Sequence, residues 1–347
     1  MKKTGVYFGG FDELRCLAAL LVVVSHVLPY STRSALYGQV GVTLFFVLSG
    51  FLITYLLLDE ASENNGRVNI LFFYFKRVLR IWPLYFFIVF MGFFVYPLCI
   101  SNEVFPFGSQ QWNRALLYYV FFVPNLFHDH IPYVTQLWSI GVEEVFYLIW
   151  PWCVVLFGRK IHFMSLFVVL FFASLEIVQH YFSSGGIGFI LQFGHLSALA
   201  VGGLGASFLF NGFKIMELFS SKTIQLLTVA LLSIGVFFNV AFPLLNTLFY
   251  SLIFLCVIIN VSVIDDSLLR FRSTILASIG GVSYGIYMFQ GIVIDTVHGI
   301  KSRLFSLNQP FDFLIELFLV LFIDIAIAYL SFHLVEKKIL SLRKLAS

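Results

Sequence analysis

The chain contains few charged residues: Asp, Glu, Lys and Arg make up 11% of its 347 residues, whereas 60% are hydrophobic and 19% are aromatic. Soluble domains carry roughly 25% charged residues, so this composition excludes a water-soluble globular protein. The net charge of +3 is also too small to predict a nucleic-acid partner. We therefore predict an all-α, polytopic membrane protein.

Cysteine is scarce as well. Cys16, Cys99, Cys153 and Cys256 stand singly in apolar segments, without the spacing of a disulfide framework or a zinc site. We interpret all four as packing residues. The first apolar run contains Arg15 and lacks a small-residue cleavage site. It is therefore expected to stay in the chain as the first span and not to act as a cleaved signal peptide.

Apolar runs long enough to cross a bilayer recur along the chain, since about 20 residues are needed. The ten runs that qualify are Leu14–Tyr30, Val40–Leu58, Ile81–Ile100, Gln136–Phe157, His162–Phe182, Ile187–Phe210, Thr223–Pro243, Leu245–Ile264, Thr274–Val297 and Phe311–Val335. The sequence lacks tandem repeats, low-complexity tracts and soluble appendages. It therefore predicts one integral-membrane domain over residues 1–347, with about ten transmembrane helices and no fused extracytoplasmic domain.

The distribution of Lys and Arg decides between ten spans and eleven, because these residues concentrate on the cytoplasmic side of a membrane. An eleventh apolar stretch, Ala115–Phe127, is only 13 residues long. With ten spans and a cytoplasmic N-terminus, sixteen Lys and Arg residues are inside and four outside. A further span at Ala115–Phe127 would leave eight inside and twelve outside. We therefore predict cytoplasmic termini and place Ala115–Phe127 in an outer re-entrant or interfacial segment.

Two ionisable residues in the first apolar run are candidates for function, because such groups are costly inside a bilayer. Arg15 and His26 are eleven residues apart, which corresponds to about 16 Å of helical rise and to projection from one helix face. They are therefore expected to border one cavity. For His26 taken alone, the competing interpretation is a buried histidine that is hydrogen-bonded to a neighbouring helix.

Adjacent carboxylates occupy a matching depth in a later span. Glu143 and Glu144 lie about 10 Å from the outer end of their predicted helix, and His26 lies about 6 Å from the outer end of its own. Neighbouring positions point about 100° apart, so one Glu is expected to face the cavity while the other holds a second helix. A histidine near a buried carboxylate is typical of general-base chemistry. The sequence has no G-x-S-x-G elbow, which favours direct transfer, although a transient acyl-histidine stays open.

Positive charge is concentrated in the predicted cytoplasmic loop between the second and third spans, in the segment FFYFKRVLRIWPLY, where Pro83 is expected to start the next span. Arg77 and Arg80 are three residues apart and share a face at helical spacing. Paired guanidinium groups suit phosphate recognition, so we predict an anion site at this pair. For Lys76 and Arg67 we favour the alternative, a cytoplasmic anchor on anionic lipid.

Six segments form a pattern along nearly the whole chain. They are FDELRCLAALLVVVSH (11–26), GVTLFFVLSGFLI (41–53), FKRVLRIWPLY (75–85), LWSIGVEEVFYLIWP (137–151), SYGIYMFQ (283–290) and HLVEKKI (333–339). In this order they resemble membrane-bound acyltransferase family 3, the O-acetylase-like integral membrane acyltransferases. The first four segments together are specific, whereas the last two are weak alone.

The resemblance implies an O-acetyltransferase of the bacterial cytoplasmic membrane that takes an acyl group, usually acetyl, from cytoplasmic acyl-CoA. The acceptor would be a hydroxyl of a glycan, a lipid-linked sugar or another cell-envelope molecule. Several family members carry an extracytoplasmic hydrolase-like domain after the last span. Because this sequence shows none, transfer is expected to be completed by the membrane domain or by a separate extracytoplasmic partner.

The resemblance also implies roles for individual residues. His26 would be the catalytic base, Arg15 its motif partner on the donor side, and Glu143 or Glu144 the supporting carboxylate. The basic pair would contact the CoA phosphates, and no metal is implied. Further positions inside the matched motifs are assigned to substrate contact or support: Ser49, Trp138, Tyr147, Tyr284, Gln290.

The chain departs from the family pattern at four positions, of which Cys16, where Gly or Ala is common, carries no obvious chemistry. Gln290 stands where relatives often have His, which removes a second base from that motif. Gly141 stands where Ser is common, and His195 where Arg is common. For His195 we favour a packed helix histidine over a weaker polar role.

Other polar residues receive structural interpretations. Asp295, Glu316 and Asp324 lie in apolar runs and are expected to pair locally or to line the cavity. The HDH triplet at 128–130 is more simply a solvated outer loop than a metal site. The segment VGGLGAS (201–207) predicts close helix packing.

A transporter or flippase of a lipid-linked sugar or exopolysaccharide precursor is the alternative function, since buried charges and ten spans would also serve it. That function predicts two inverted halves with interrupted helices in matching positions, and the sequence shows no such symmetry. A glycan ligase would need a large outer loop that the sequence lacks. Neither alternative explains His26, the Glu pair and the Arg pair together.

Overall fold

A computed structural model describes residues 8–28, 32–99, 109–127, 131–182, 185–238, 240, 242, 244–262, 267–269, 273–304 and 311–345. Every regular element among these residues is a helix, which confirms the predicted all-α class. The chain divides into two compact units. Unit 1 comprises Met1–Val22, Ser31–Val68 and Phe146–Gly281, and unit 2 comprises Val23–Tyr30, Asn69–Val145 and Val282–Ser347.

The helices follow one another closely along the chain. They are α1 (Phe11–Val27), α2 (Thr32–Glu63), α3 (Ile70–Phe90), α4 (Tyr96–Cys99), α5 (Gln110–Val120), α6 (Leu137–Phe157), α7 (Ile161–Phe182), α8 (Gly185–Leu191), α9 (Leu196–Asn211), α10 (Ile215–Ser220), α11 (Lys222–Phe237), α12 (Asn246–Ser262), α13 (Thr274–Gly281), α14 (Ser283–Leu304), α15 (Phe311–Ser331) and α16 (Lys337–Ser341). Short π-helical segments join α3 to α4 and α15 to α16, at Met91–Val95 and Phe332–Glu336.

Several of these helices are able to span a membrane. Among the described residues, four continuous helical stretches are long and apolar enough: Ala35–Glu63, Ile70–Leu98, Leu137–Phe182 and Asp312–Ser341. The pair α13 and α14 passes the same test as a fifth, with a bend of 67° between its two parts. The helices α9, α11 and most of α12 are apolar but shorter. The helical, membrane-spanning character is thus confirmed, while the number ten and the orientation of the termini stay predictions.

The third predicted span starts earlier than its apolar run indicated. Asn69 caps α3 by accepting a hydrogen bond from the Phe72 backbone N–H at 3.0 Å, so the helix begins at Ile70 and not at Ile81. The segment with the basic pair is therefore helical and not a loop. Pro83 lies inside α3 and does not start a span. The prediction erred because the charged residues interrupted the apolar run, although they do not interrupt the helix.

Unit 1 is held together by close contacts between α2 and α9. A Cβ added at Gly50 would lie 1.9 Å from the Leu199 carbonyl oxygen, and one at Gly202 would lie 2.1 Å from that of Val47. Only glycine lets the two backbones approach this closely. The prediction that VGGLGAS packs helices is thus confirmed. In the same unit, Trp150 Nε1 donates a 2.7 Å hydrogen bond to Thr54 Oγ1.

The thiols of unit 1 also behave as predicted. Cys16, Cys153 and Cys256 are free, the first two buried and the third half-buried. They fill space in the apolar interior, as expected of cysteine without a redox or metal role.

Unit 2 is built around contacts of α14 with α3 and α15. A Cβ at Gly285 in α14 would lie 2.9 Å from the Ala328 side chain in α15, so the two helices touch almost backbone to backbone at this point. Nearer the end of α14, Lys301 Nζ forms an ion pair with Asp312 at 2.7 Å and another with Glu316. These contacts join the two helices at two levels.

Candidate functional site

Three of the six sequence motifs and the first half of a fourth lie in unit 2, and the elements that carry them meet around α3. Contacts link α3 with α14, with α16 and with the π-helical segment before α16. These elements carry the motifs FKRVLRIWPLY, SYGIYMFQ and HLVEKKI. The first half of the Glu motif, at the start of α6, reaches the same group through Trp82. The structure thus brings together residues up to 256 positions apart in the sequence, since the charge of Arg80 acts on Glu336.

Glu144 is the best-defined member of this group. Its Oε2 accepts a hydrogen bond from Trp82 Nε1 at 3.4 Å, and the positive charge of Arg77 also acts on it. Its Oε1 is buried and accepts no hydrogen bond from the described part of the chain. Glu144 therefore joins α6 to α3 with one oxygen and keeps the other as an unused acceptor.

Tyr284 lies between the acidic and basic residues of the motifs. Its hydroxyl donates a 2.9 Å hydrogen bond to the Ile81 carbonyl oxygen, which fixes the start of α14 on α3. The charges of Glu143, Glu336 and Arg80 act on the same tyrosine. The structure thus brings the predicted residues Glu143, Glu144, Arg80 and Tyr284 together within one unit.

A second contact fixes α14 to the start of α6. Ser139 Oγ and Tyr287 OH lie 2.7 Å apart, and Tyr287 OH also donates to the Gln136 carbonyl oxygen at 3.0 Å. The Gln136 side chain in turn donates to the Met288 carbonyl oxygen at 3.0 Å. These bonds place the helix turn of Glu143 and Glu144 next to α14.

Gln290 is 1% exposed and donates from Nε2 to the Tyr287 carbonyl oxygen at 3.1 Å. Its Oε1 is buried and accepts no hydrogen bond within the described residues. Such an amide can bind a hydroxyl or N–H donor but cannot act as a base.

Trp138 stands in the first turn of α6 and is half-buried.

The basic pair differs in its surroundings. The Arg77 guanidinium lies 5.5 Å from the centroid of the Phe73 ring and is half-buried, whereas Arg80 is exposed. Lys76 lies 4.5 Å from the Phe72 ring centroid. The ring of Phe73 holds Arg77 by a cation–π interaction. The exposed Arg80 side chain is accessible to an anion.

Arg15 is held from within its own helix. Arg15 Nη1 lies 2.8 Å from Asp12 Oδ1, an i,i+3 ion pair in the first turns of α1. The Asp12 backbone is itself fixed, because a Cβ at Gly280 would lie 1.7 Å from its carbonyl oxygen. The arginine of the first motif is therefore orientated by a residue of the same motif.

His26 stands in the last turn of α1 and is exposed. The burial expected in the competing interpretation of His26 is therefore not found. Helix α1 carries both Arg15 and His26 without interruption, as predicted, with Arg15 in unit 1 and His26 in unit 2. The remaining predicted positions, Ser49 in α2 and Tyr147 in α6, belong to unit 1, with Ser49 half-buried and Tyr147 buried.

Three acidic residues in apolar runs are predicted to pair locally or to line the cavity, and two of them pair locally. Asp295 accepts a hydrogen bond from the Tyr96 hydroxyl, and Glu316 binds Lys301 and lies 3.1 Å from His298 Nδ1. Asp324 is the exception, because it is fully buried and neither carboxyl oxygen has a hydrogen-bond partner in the described regions.

Two further predictions concern histidines. His195 immediately precedes α9, and its ring centroid lies 5.6 Å from that of Phe46. This position favours the packing interpretation. The HDH triplet at 128–130 lies outside the described residues. Within the described residues, no group of three His, Cys, Asp or Glu side chains is arranged to hold a metal ion.

Sequence reasoning missed two residues of the site. Asp12 had a detectable signal, because it stands three positions before Arg15 on a predicted helix. Trp82 lies inside a recognised motif, but its hydrogen bond joins residues 62 positions apart. No local pattern signals such a tertiary contact.

Comparison with known proteins places this chain in a family. A family model described as an acyltransferase domain matches residues 8–333. The chain belongs to this acyltransferase family, acyltransferase family 3. The match includes all the candidate residues named above and confirms the predicted class of enzyme, an acyltransferase.

Curated relatives of this acyltransferase are similar over part of their length. The O-acetyltransferase OatA of Staphylococcus aureus is 27% identical over 179 residues, which are 49% of this chain and 28% of the relative. The peptidoglycan O-acetyltransferase OatA of Listeria monocytogenes is 31% identical over 157 residues, 42% and 24% of the two chains. The putative peptidoglycan O-acetyltransferase YrhL of Bacillus subtilis is 31% identical over 153 residues, 42% and 23%.

The alignments thus span less than a third of these relatives. No solved structure matches the chain.

Proposed function

We propose that this acyltransferase moves an acyl group, with acetyl as the expected one, from cytoplasmic acyl-CoA to a hydroxyl of a cell-envelope glycan. Peptidoglycan is the acceptor class suggested by the names of the relatives from Listeria and Bacillus. The proposed setting is a bacterial cytoplasmic membrane crossed ten times, with both termini in the cytoplasm. The observation that carries the proposal is the assembly of the family's Arg, Glu and Tyr motifs around α3.

The basic pair is the proposed donor site. Arg80 is exposed, and Arg77 is held by Phe73 one turn earlier in the same helix. Two guanidinium groups on one helix face match the bidentate geometry that phosphate oxygens favour. We assign them the phosphates of acyl-CoA. Arg15, fixed by Asp12, is assigned to the donor end of α1, about 16 Å of helix from His26.

His26 is the proposed general base. Its neutral imidazole removes the proton from the acceptor hydroxyl while the hydroxyl oxygen attacks the thioester carbonyl carbon. The carbon–sulfur bond then breaks, and the proton held by His26 goes to the departing thiolate. The products are an O-acyl glycan and free CoA, so no further reactant is required.

The two carboxylates receive different parts. Glu144 is tied to Trp82 and feels the charge of Arg77, so we assign it to joining α6 and α3. Its unused Oε1 is available to accept a hydrogen bond from an amide N–H or hydroxyl of a substrate. Glu143, whose charge acts on Tyr284 and Tyr287, is the proposed supporting carboxylate for the imidazolium.

The decisive experiment is acyl transfer by purified protein reconstituted in vesicles, with acetyl-CoA on one side and a peptidoglycan fragment on the other. Mass spectrometry of the fragment detects the product. His26→Ala should reduce transfer at least about a hundredfold, as expected for loss of a general base. His180→Ala is the matched control, since His180 is an exposed histidine on α7. Normal transfer by His26→Ala would refute the assignment.

The donor site is tested separately by binding. Arg80→Ala should weaken CoA affinity by about tenfold, the effect of roughly 1.4 kcal/mol. Arg67→Ala is the control, because Arg67 is also exposed and precedes α3. Equal affinities of the two variants would return Arg80 to the role of a lipid anchor.

A further inference from the structure

The short helix α5 ends in a conformation that its sequence disfavours. Phe122 has a φ of +58° in the left-handed region. The Val123 N–H donates to the Tyr118 carbonyl at 2.9 Å and the Phe122 N–H to the Tyr119 carbonyl at 3.2 Å. This is the bonding of a Schellman motif, whose left-handed position is usually glycine. A bulky residue there carries a steric cost that glycine lacks.

Contacts of the Phe122 ring with α3 offset this steric cost. It stacks on Tyr85 with centroids 4.2 Å apart and contacts Phe86 at 5.4 Å and Trp82 at 5.5 Å. The three partners lie at i, i+3 and i+4 on one face of α3. Tyr85 also donates from its hydroxyl to the Tyr119 carbonyl oxygen at 2.7 Å. The end of α5 is therefore fixed on the face of α3 that carries Trp82.

The backbone of the same residue meets α6. A Cβ added at Gly141 would lie 2.5 Å from the Phe122 carbonyl oxygen and 3.1 Å from Pro124 Cδ. A side chain at position 141 would therefore push the turn away. This contact gives a physical reason for the glycine that departs from the family pattern. Gly141 lies two residues before Glu143 and three residues before Glu144.

Phe122 thus touches α3 with its ring and α6 with its carbonyl, beside the hydrogen bond from Trp82 to Glu144 that joins these helices. We propose that Phe122 is a positioning residue that holds the Trp82 indole against Glu144. The proposal rests on the proposed function, because it gives Glu144 one orientation in the transfer reaction. The left-handed turn then sets the distance between α3 and α6. That distance depends on the Phe122 ring and on the absence of a side chain at Gly141.

Reactivity of the carboxyl group tests this placement without any acyl transfer. Dicyclohexylcarbodiimide modifies carboxyl groups in apolar surroundings, and peptide mass spectrometry separates labelling at Glu144 from labelling at other sites. Phe122→Gly keeps the left-handed turn and removes the ring. Glu144 should then be labelled about fivefold faster, the effect of losing one hydrogen bond. Asn65→Gly is the matched control, because Asn65 is also left-handed but exposed in another turn, and it should leave the rate unchanged.

Kinetics then separate positioning from folding. In reconstituted protein, Phe122→Gly should lower kcat about tenfold and leave KM for acetyl-CoA unchanged. Phe122→Tyr, which retains the ring, should restore both kcat and the labelling rate. If the wild type shows no transfer, the proposed function fails, whereas the labelling result still decides whether Phe122 positions Glu144.

The proposal is overturned if Phe122→Gly is labelled at the wild-type rate. It is also overturned if Phe122→Tyr is as defective as the glycine variant. Should the glycine variant not insert into membranes, Phe122→Leu replaces it, since leucine fills part of the volume but cannot stack on Tyr85. The same labelling comparison then applies.

Discussion

The indole nitrogen of Trp82 lies 3.4 Å from a carboxylate oxygen of Glu144, and this contact joins the motifs FKRVLRIWPLY and LWSIGVEEVFYLIWP. The first of these residues follows Arg80 by two positions on α3, and the second belongs to the Glu pair of α6. Replacement of either Trp82 or Glu144 is therefore expected to affect both the proposed donor site and the acidic pair. Double-mutant analysis can measure this coupling.

Trp82→Phe removes the donor of this hydrogen bond and retains an aromatic ring against Phe122 and Phe86. Acyl transfer is expected to fall about fivefold, since one such bond contributes roughly 1 kcal/mol. Combined with Glu144→Gln, whose neutral amide oxygen accepts a weaker hydrogen bond than the carboxylate, the second change should add little, because both variants weaken the same contact. Transfer rates of the two single variants and the double variant provide the measurement.

Trp152→Phe serves as the control for this cycle. Trp152 is exposed on α6, and its replacement should leave transfer unchanged and add independently to Glu144→Gln. Fully additive losses in Trp82→Phe and Glu144→Gln would show that the two side chains act separately. The hydrogen bond would then have no part in the reaction.

The sequence predicts much of the fold because apolar runs and helices coincide in a membrane. Its clearest failure is α3, where Lys76, Arg77 and Arg80 suggested a loop. A helix satisfies its own backbone hydrogen bonds whether its side chains are charged or apolar. Hydropathy therefore reports which part of a helix faces lipid and does not report where the helix begins. Asn69, a residue type common at N-caps, is the sequence signal for the start of α3.

The candidate residues His26, Arg15 and the Glu pair stand out in the sequence because ionisable side chains are rare in an apolar chain. The residues that orientate them were harder to predict. Trp82 and Phe122 look like ordinary lipid-facing aromatics in the sequence, which has 44 phenylalanines alone. Their roles depend on tertiary contacts that no periodicity encodes.

Asp12→Asn tests whether the ion pair with Arg15 supports donor binding. The pair is partly exposed, so its loss should change the free energy of unfolding by less than about 0.5 kcal/mol. Arg15 then loses its ion-pair partner at Asp12, and KM for acetyl-CoA is expected to rise about threefold with kcat unchanged. Vesicle assays over a range of acetyl-CoA concentrations separate the two constants.

Glu63→Gln is the matched control for Asp12→Asn, because Glu63 is an exposed acid at the end of α2. It removes the same charge from the same unit and should change neither constant. A rise in KM that is equal in both variants would indicate a general charge effect. Arg15 would then need another explanation for its place in the motif.

Gly202→Ala should destabilise unit 1. The added methyl group would lie 2.1 Å from the Val47 carbonyl oxygen and 2.6 Å from the Phe51 nitrogen, both backbone atoms that cannot move aside. Overpacking of this kind costs about 1 to 3 kcal/mol. The apparent melting temperature in detergent, followed by loss of monodisperse protein on size-exclusion chromatography, should fall by several degrees.

Gly188→Ala provides the comparison for Gly202→Ala. Apart from the adjacent backbone of α8 itself, no described heavy atom lies within 4 Å of a Cβ at Gly188, so alanine there should be neutral or stabilise α8 by up to about 1 kcal/mol through its helix propensity. Equal melting temperatures for the two alanine variants would contradict the close approach of α2 and α9.

Lys301→Met should loosen the end of the α14–α15 pair without touching the proposed chemistry. Lys301 is 7% exposed and is the ion-pair partner of both Asp312 and Glu316, so methionine would leave two carboxylates close together and without their cation. We expect a loss of about 2 kcal/mol, below the cost of breaking a fully buried pair because Asp312 is nearer the surface. Thermal unfolding in detergent measures it, with Arg303→Met as control, since Arg303 is exposed two residues later. Restoration of stability by adding Glu316→Gln to Lys301→Met would identify carboxylate repulsion as the cause, whereas an unchanged loss would assign it to the packing of the lysine stem.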